Sequence, residues 1–168
     1  MGTEPITYTS WNSPIGSIFL LSKGTKLVKI GIGQTVQGFL TQLETKYQQP
    51  TEDTAIFEKP IQQLKEYFQQ KRQNFNLDLD LAIATDFQQR VWKVLNTIPY
   101  GQTRSYKWVA QQAGKPKSAR AVGTANRANP LPIIIPCHRV INANGELGGY
   151  SGGGQTIKKF WVLTRTAH

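Results

Sequence analysis

The chain has 168 residues, is 39% hydrophobic and carries a formal net charge of +10 at pH 7, which suits one domain of ordinary size or two small ones. Its longest apolar stretch is far too short to cross a bilayer, and Met1-Gly2-Thr3-Glu4-Pro5 shows neither a secretory start nor a lipidation motif, so no membrane association and a cytoplasmic, intracellular protein are expected, nuclear in a eukaryote. Cys137 is the single cysteine, which excludes an intramolecular disulfide and a resolving thiol, and with only two histidines no metal site is apparent.

Residues 6–11, 15–22 and 26–32 are β-rich and separated by Asn12-Ser13-Pro14 and Lys23-Gly24, the pattern of a short antiparallel meander. Val36, Phe39, Leu40, Leu43 and Tyr47 fall at helical spacing within 35–47. A polar loop around Pro50 follows. Ile61, Leu64, Tyr67 and Phe68 share one face of a helix over 59–71, with Pro60 tolerated as a first-turn residue. Phe75, Leu77, Leu79 and Leu81 alternate with Asn76, Asp78 and Asp80, which predicts a strand with one wet face. Together these make an α+β domain over residues 1–80.

A second domain is expected over 84–168. Thr85-Asp86-Phe87-Gln88 fits a capping box, and Phe87, Val91, Val94, Leu95 and Ile98 continue as an apolar helical stripe that stops at Pro99-Tyr100-Gly101. Ser105 is placed to cap a short helix carrying Trp108, Val109 and Ala113, ended by Gly114. Pro116 opens the next helix, which runs from Lys117 to Arg127 and ends before Asn129-Pro130. Two short helices joined by Gly114-Lys115-Pro116 read as a helix-turn-helix, with an ordinary packed α-hairpin as the plainer alternative. The second helix carries Ala119, Ala121, Gly123, Thr124 and Ala125, small side chains that allow close approach to another surface, with Arg120 and Arg127 among them. Glycines 145, 148, 149, 152, 153 and 154 flank Tyr150 and Ser151, as in a hairpin or lid. No Gly-Lys-Ser/Thr follows them, so a phosphate cradle is poorly supported.

The charge divides unevenly. Residues 1–86 carry 8 Lys/Arg and 9 Asp/Glu, a net of −1, whereas residues 87–168 carry 12 Lys/Arg and only Glu146, a net of +11. The basic residues are interleaved with Trp92, Tyr100, Tyr106 and Trp108, so they belong to a folded surface and not to a tail. A polyanion, above all nucleic acid, is the partner this favours; a generically basic soluble face or a membrane-surface patch are the alternatives.

Within that basic half, Ile135-Pro136-Cys137-His138-Arg139-Val140 places the lone thiol after a proline-bounded apolar run, Leu131–Pro136, on a semi-buried perch beside a histidine and an arginine. Such surroundings favour the thiolate, the nucleophilic form. A cysteine next to isoleucines is also often a small core hydrophobe.

Taken in order, Thr85-Asp86-Phe87-Gln88, Ile98-Pro99-Tyr100-Gly101, Ser105-Tyr106, Ala119-Arg120-Ala121-Val122-Gly123, Asn129-Pro130, Ile135-Pro136-Cys137-His138-Arg139-Val140 and Gly149-Tyr150-Ser151-Gly152-Gly153 resemble the O6-alkylguanine-DNA alkyltransferases, or methylated-DNA–protein-cysteine methyltransferases, over about residues 76–157. The resemblance implies an N-terminal RNase H-like α/β domain and a C-terminal, mostly helical, winged-helix-like domain with a helix-turn-helix. It implies a protein that needs no cofactor or metal and flips an O6-alkylguanine, with O4-alkylthymine left open, out of double-stranded DNA. Cys137 then takes the alkyl group once and irreversibly, because a thioether does not hydrolyse. His138 corresponds to the base that acts on the thiol through a water. Tyr106 corresponds to the residue that swings the phosphate and hydrogen-bonds the base. Arg120 corresponds to the finger filling the emptied stack, with Ala119, Ala121, Gly123 and Arg127 along the same DNA-facing helix. Asn129 corresponds to the brace of the reactive turn. The Val140 carbonyl and the Ser151 N–H correspond to readers of the guanine edge, with Pro132, Tyr150 and Gly152 completing the pocket. A monomer is implied, with cooperative binding on DNA left open.

One departure stands out. The family closes its triad with a glutamate on the C-terminal helix, and the matching region here reads Thr164-Arg165-Thr166-Ala167-His168. Competing readings are a DNA-binding regulator using the same helix-turn-helix, a non-catalytic alkyltransferase-like sensor, and a cysteine hydrolase that forms a hydrolysable thioester.

Overall fold

The computed structural model describes residues 4–142 apart from 44, 45 and 48. The chain divides into two compact units, Met1–Asp80 and Leu81–His168. No helix among the described residues is long and apolar enough to cross a membrane.

In the first unit, β1 (Ile6–Ser13), β2 (Gly16–Lys23) and β3 (Lys26–Ile32) form the expected meander, with Ile6 opposite Lys23 and Ile18 opposite Ile32. The central strand β2 buries Ile18, Phe19, Leu20 and Leu21 in succession, so both its faces are covered. On one face Phe19, Leu21 and Val28 pack with Phe39 and Leu43 of α1 (Val36–Leu43). The Phe19 and Phe39 rings stack 5.0 Å apart. The helix α1 is shorter than the apolar spacing predicts: the backbone N–H groups of Lys46 and Tyr47 both bond back to the Leu43 carbonyl and close the chain into a turn.

Two further expectations are corrected. The polar segment around Pro50 contains β4 (Thr51–Glu52), which pairs in parallel with Thr7 and Tyr8 and extends the sheet to the order β3-β2-β1-β4. The alternating segment from Phe75 to Leu81 makes only a single parallel bridge, Leu79 with Leu27. Asp78 and Asp80 bond to Leu27 there, while at Asn76 the backbone meets a side chain of α2 (Glu58–Phe68): Gln63 donates from Nε2 to the Asn76 carbonyl at 3.1 Å and accepts the Asn76 N–H at 2.9 Å. A buried amide thus satisfies what a strand ladder otherwise would.

The second unit opens with α3 (Asp86–Leu95). Its capping box forms in full: Thr85 Oγ1 accepts the Gln88 N–H at 3.1 Å and Gln88 Oε1 accepts the Thr85 N–H at 3.0 Å. Val91, Trp92 and Leu95 face the core. A two-residue strand β5 (Arg104–Ser105) leads into α4 (Tyr106–Gln112), capped by Ser105 Oγ on the Trp108 N–H at 3.0 Å. Gly114 ends α4 with φ +85°, a conformation costly for any residue with a Cβ. The following helix α5 (Ala119–Arg127) starts two residues later than Lys117, because Lys115 to Ser118 form a turn closed by the Ser118 N–H on the Lys115 carbonyl. Pro116 therefore stands in the turn and does not open the helix. The helix-turn-helix is packed on α3: Trp92 donates from Nε1 to the Ala125 carbonyl at 3.0 Å.

Candidate active site and nucleic-acid interface

Residues 131–140 are buried without a break. Within them Cys137, His138 and Arg139 form a 3₁₀ turn that feeds β6 (Val140–Ile141), and β6 pairs in parallel with β5. This pairing, absent from the sequence-based expectation, sets the Cys137 turn beside the start of α4, where Tyr106 is the first helical residue.

The loop before the turn is held by side chains. Asn129 donates from Nδ2 to the Ile135 carbonyl at 2.8 Å, and its Oδ1 accepts the Leu131 N–H at 2.9 Å. The brace spans Ile133, which adopts φ +78°, an outlier for a β-branched residue that costs on the order of 1–3 kcal/mol and survives only where packing over-determines it. Asn126 donates from Nδ2 to the Cys137 carbonyl at 3.2 Å, tying α5 to the turn. That carbonyl also accepts the Val140 N–H. Arg139 donates from Nη1 to the Ile98 carbonyl at 2.7 Å and lies 5.8 Å over the Tyr100 ring.

Cys137 is 0% exposed, so the semi-buried perch is corrected to a fully buried one. The apolar run before it is buried as well, from Leu131 through Pro132, Ile133 and Ile134 to Ile135. His138 is equally buried. Burial first, and the adjacent Arg139 guanidinium second, hold its imidazole well below the ordinary histidine range, so the ring is neutral at pH 7. Burial pushes the Tyr106 phenol up; the Asn126 side chain pulls it back, Cys137 adds a further push and Arg127 a further pull. The phenol is therefore protonated and able to donate. The approach of Tyr106 to Asn126 is loose: neither Tyr106 Oη nor Asn126 Oδ1 closes a well-formed hydrogen bond, although both atoms are buried.

The outer side of α5 is different in character. Arg120, Ala121, Thr124 and Arg127 are exposed, Ala119 and Gly123 partly so, while Val122, Ala125 and Asn126 point into the core. A Cβ built on Gly123 would meet only Arg127 Nη1 at 3.8 Å and Tyr106 Cε1 at 4.0 Å, so that side of the helix is open. Lys115 and Arg90 both lie over the Phe87 ring, at 5.0 and 5.7 Å. None of Arg90, Lys115, Lys117, Arg120 and Arg127 has an ion-pair partner among the described residues. The structure thus brings Tyr106, Asn129, Pro132, Cys137, His138 and Val140 together in one unit, with Arg120 and Arg127 on its exposed helix. Tyr150, Ser151, Gly152 and the C-terminal segment that departs from the family pattern lie outside the described residues.

One residue escaped the sequence reading, and for another only its burial did. Asn126 stands at the buried phase of a helix, one residue after Ala125 and four after Val122, where an apolar side chain is the rule; that violation is the signal that marks it. Arg139 is 7% exposed, a charge inside an apolar segment.

Two family models cover the two units. The ribonuclease-like domain of 6-O-methylguanine DNA methyltransferase matches residues 6–81, and the DNA binding domain of the same family matches residues 86–165. The chain belongs to the 6-O-methylguanine DNA methyltransferase family. It is 47% identical over 152 residues to the methylated-DNA–protein-cysteine methyltransferase of Mycobacterium bovis, covering 88% of this chain and 86% of that one. It is 39% identical to the constitutive methylated-DNA–protein-cysteine methyltransferase of Bacillus subtilis, over 91% of both. Its fold is similar to that of the Mycobacterium tuberculosis O6-methylguanine methyltransferase, with a TM-score of 0.84 and 43% identity over 97% of this chain and 94% of that one. The M. tuberculosis OGT crystallised in complex with DNA matches with a TM-score of 0.84 and 42% identity, over 96% of this chain and 94% of that one.

Proposed function

We propose that this protein repairs DNA directly, by moving the alkyl group of an O6-alkylguanine onto Cys137. The carrying observation is the buried Cys137–His138 turn, braced by Asn126 and Asn129 and reached by the protonated hydroxyl of Tyr106. A cysteine buried among isoleucines could be only a core hydrophobe, but such a site needs no neutral histidine, no braced strained loop and no buried phenol within its electrostatic reach.

The chemistry follows from those groups. An O6-alkyl carbon inside a duplex is out of reach of a buried thiol, so the nucleotide leaves the stack. His138, neutral, takes the thiol proton through a water. The sulfur attacks the alkyl carbon, a C–S bond forms, and the bond from that carbon to O6 breaks with its electron pair left on the guanine. Tyr106 donates to the base as this charge develops, and the low-dielectric surroundings strengthen that donation. The proton that left the thiol returns from His138 to N1 of the guanine anion, so the products are unmodified guanine and S-alkylcysteine. With no second thiol to remove the group, each protein molecule acts once, as a monomer.

The exposed cations of α5 and its turn, with the net +11 of residues 87–168, suit a phosphate backbone. Ala119, Ala121 and Gly123 let the α5 backbone approach DNA closely; Arg120 fills the gap in the stack and Arg127 flanks it. The Val140 carbonyl reads the guanine edge, and Pro132 walls the pocket.

The test is an intact-mass measurement after incubation with duplex DNA containing one O6-methylguanine. One added methyl on Cys137, with guanine restored in the DNA and no further turnover, is the expected result. An unmodified protein, or repair of more bases than there are protein molecules, overturns the proposal; the latter would favour a hydrolytic enzyme.

A further inference from the structure

Phe87, in the first turn of α3, is half-buried and carries two cations on its ring. Lys115 Nζ lies 5.0 Å from the ring centroid and the Arg90 guanidinium 5.7 Å. The two arrive from different elements: Arg90 stands one turn along α3, and Lys115 follows Gly114 in the turn between α4 and α5. Arg90 reaches toward that turn, since a Cβ built on Gly114 would meet its Nη1 at 3.8 Å. Both cations are exposed, and neither has an ion-pair partner among the described residues. Even Asp86, four residues before Arg90 on the same helix, makes no bridge to it. Like charges gathered at one ring repel, and an anion between them turns that repulsion into attraction. Two long side chains held against a ring have also lost part of the rotamer freedom that binding would otherwise cost them.

Resting on the function proposed above, we infer that Phe87 is a positioning residue for DNA binding: its ring holds Arg90 and Lys115 together as a seat for one backbone phosphate. The class of occupant follows from the donors. A guanidinium fork and an ammonium point charge complement the oxygens of a phosphodiester. The place follows from the chain: Lys115 to Ser118 lead directly into α5, so the seat lies at the entry of the helix that carries Arg120 and Arg127. A ring suits this task better than an acid would. A carboxylate in its place would neutralise both cations, whereas the ring orders them and leaves their charge for the phosphate.

The experiment measures affinity for an undamaged duplex across a salt series, with the thermal midpoint of each variant followed in parallel. Removing both cations, Arg90→Gln with Lys115→Gln, should lower the slope of log affinity against log salt by about 0.9, the change for one phosphate. A change about twice as large means two separate contacts and overturns the shared seat. Phe87→Leu keeps both charges and most of the apolar volume but no ring face. It should weaken binding about fivefold at low salt and move the slope toward that of the double variant. Phe87→Trp keeps a ring face and should restore the wild-type slope. If Phe87 only fills the core, Phe87→Leu lowers the thermal midpoint with the slope unchanged, and the inference fails. An unchanged slope in the double variant overturns it without any change at Phe87. Failure of the repair function shows separately: wild-type protein that binds the duplex with a steep salt slope but takes no methyl group from O6-methylguanine overturns repair and leaves the phosphate seat in place.

Discussion

Arg139 reaches from the Cys137 turn to the segment just past α3 and donates from Nη1 to the Ile98 carbonyl at 2.7 Å. Ile98 is where the apolar stripe of α3 runs out, and its carbonyl has no helical partner to accept from. A buried guanidinium closes that gap and clamps the 3₁₀ turn to the helix behind it. Arg139→Ala should therefore destabilise the second unit by about 2–3 kcal/mol, the usual loss for a charge-assisted bond whose buried partner is left empty. Urea unfolding followed by tryptophan fluorescence measures this. A loss under about 0.5 kcal/mol would mean that the clamp is incidental.

Cys137→Ser should abolish alkyl transfer while leaving DNA affinity nearly unchanged. A serine hydroxyl is a far weaker nucleophile at neutral pH, and Asn126 holds the backbone of the turn through the Cys137 carbonyl. Stoichiometric transfer by the serine variant, read by intact mass, would show that the acceptor lies elsewhere.

Arg120 is exposed at the start of α5. Arg120→Ala should slow repair in duplex DNA by about tenfold or more, while attack on free O6-benzylguanine proceeds at its former rate, because only a duplex has a stack to refill. Parallel rate measurements on the two substrates decide it; equal losses would remove the finger role.

His138 gives a pH signature. Its folded-state value lies well below the ordinary imidazole value, so the unfolded chain binds the extra proton first as pH falls. The stability linked to His138 is fully present above about pH 6.5, the unfolded value, and is lost as pH falls from there toward the folded value. Unfolding free energies of wild type and His138→Gln, compared between pH 7.5 and 5, should converge in acid. A parallel pair of curves would refute the linkage.

Much of this molecule is legible in residue order because the signals are local. The meander, the Thr85–Gln88 capping box, the Ser105 cap and the Gly114 stop each rest on side chains within a few residues of the backbone they satisfy, and each formed as read. The lone cysteine and its histidine could be singled out for the same reason. Three features needed the tertiary fold. The alternating segment at 75–81 gives its Asn76 backbone to Gln63, a side chain more than ten positions away. The pairing of Arg104–Ser105 with Val140–Ile141 joins segments too short to show a strand pattern, yet it is what brings Tyr106 to the Cys137 turn. Asn126 became part of the site only when α5 packed with its polar residue turned inward onto Cys137. Periodicity fixes which face of a helix is buried, but hydrogen bonds between distant segments depend on how the elements pack, and that packing decides which buried polar atoms are satisfied.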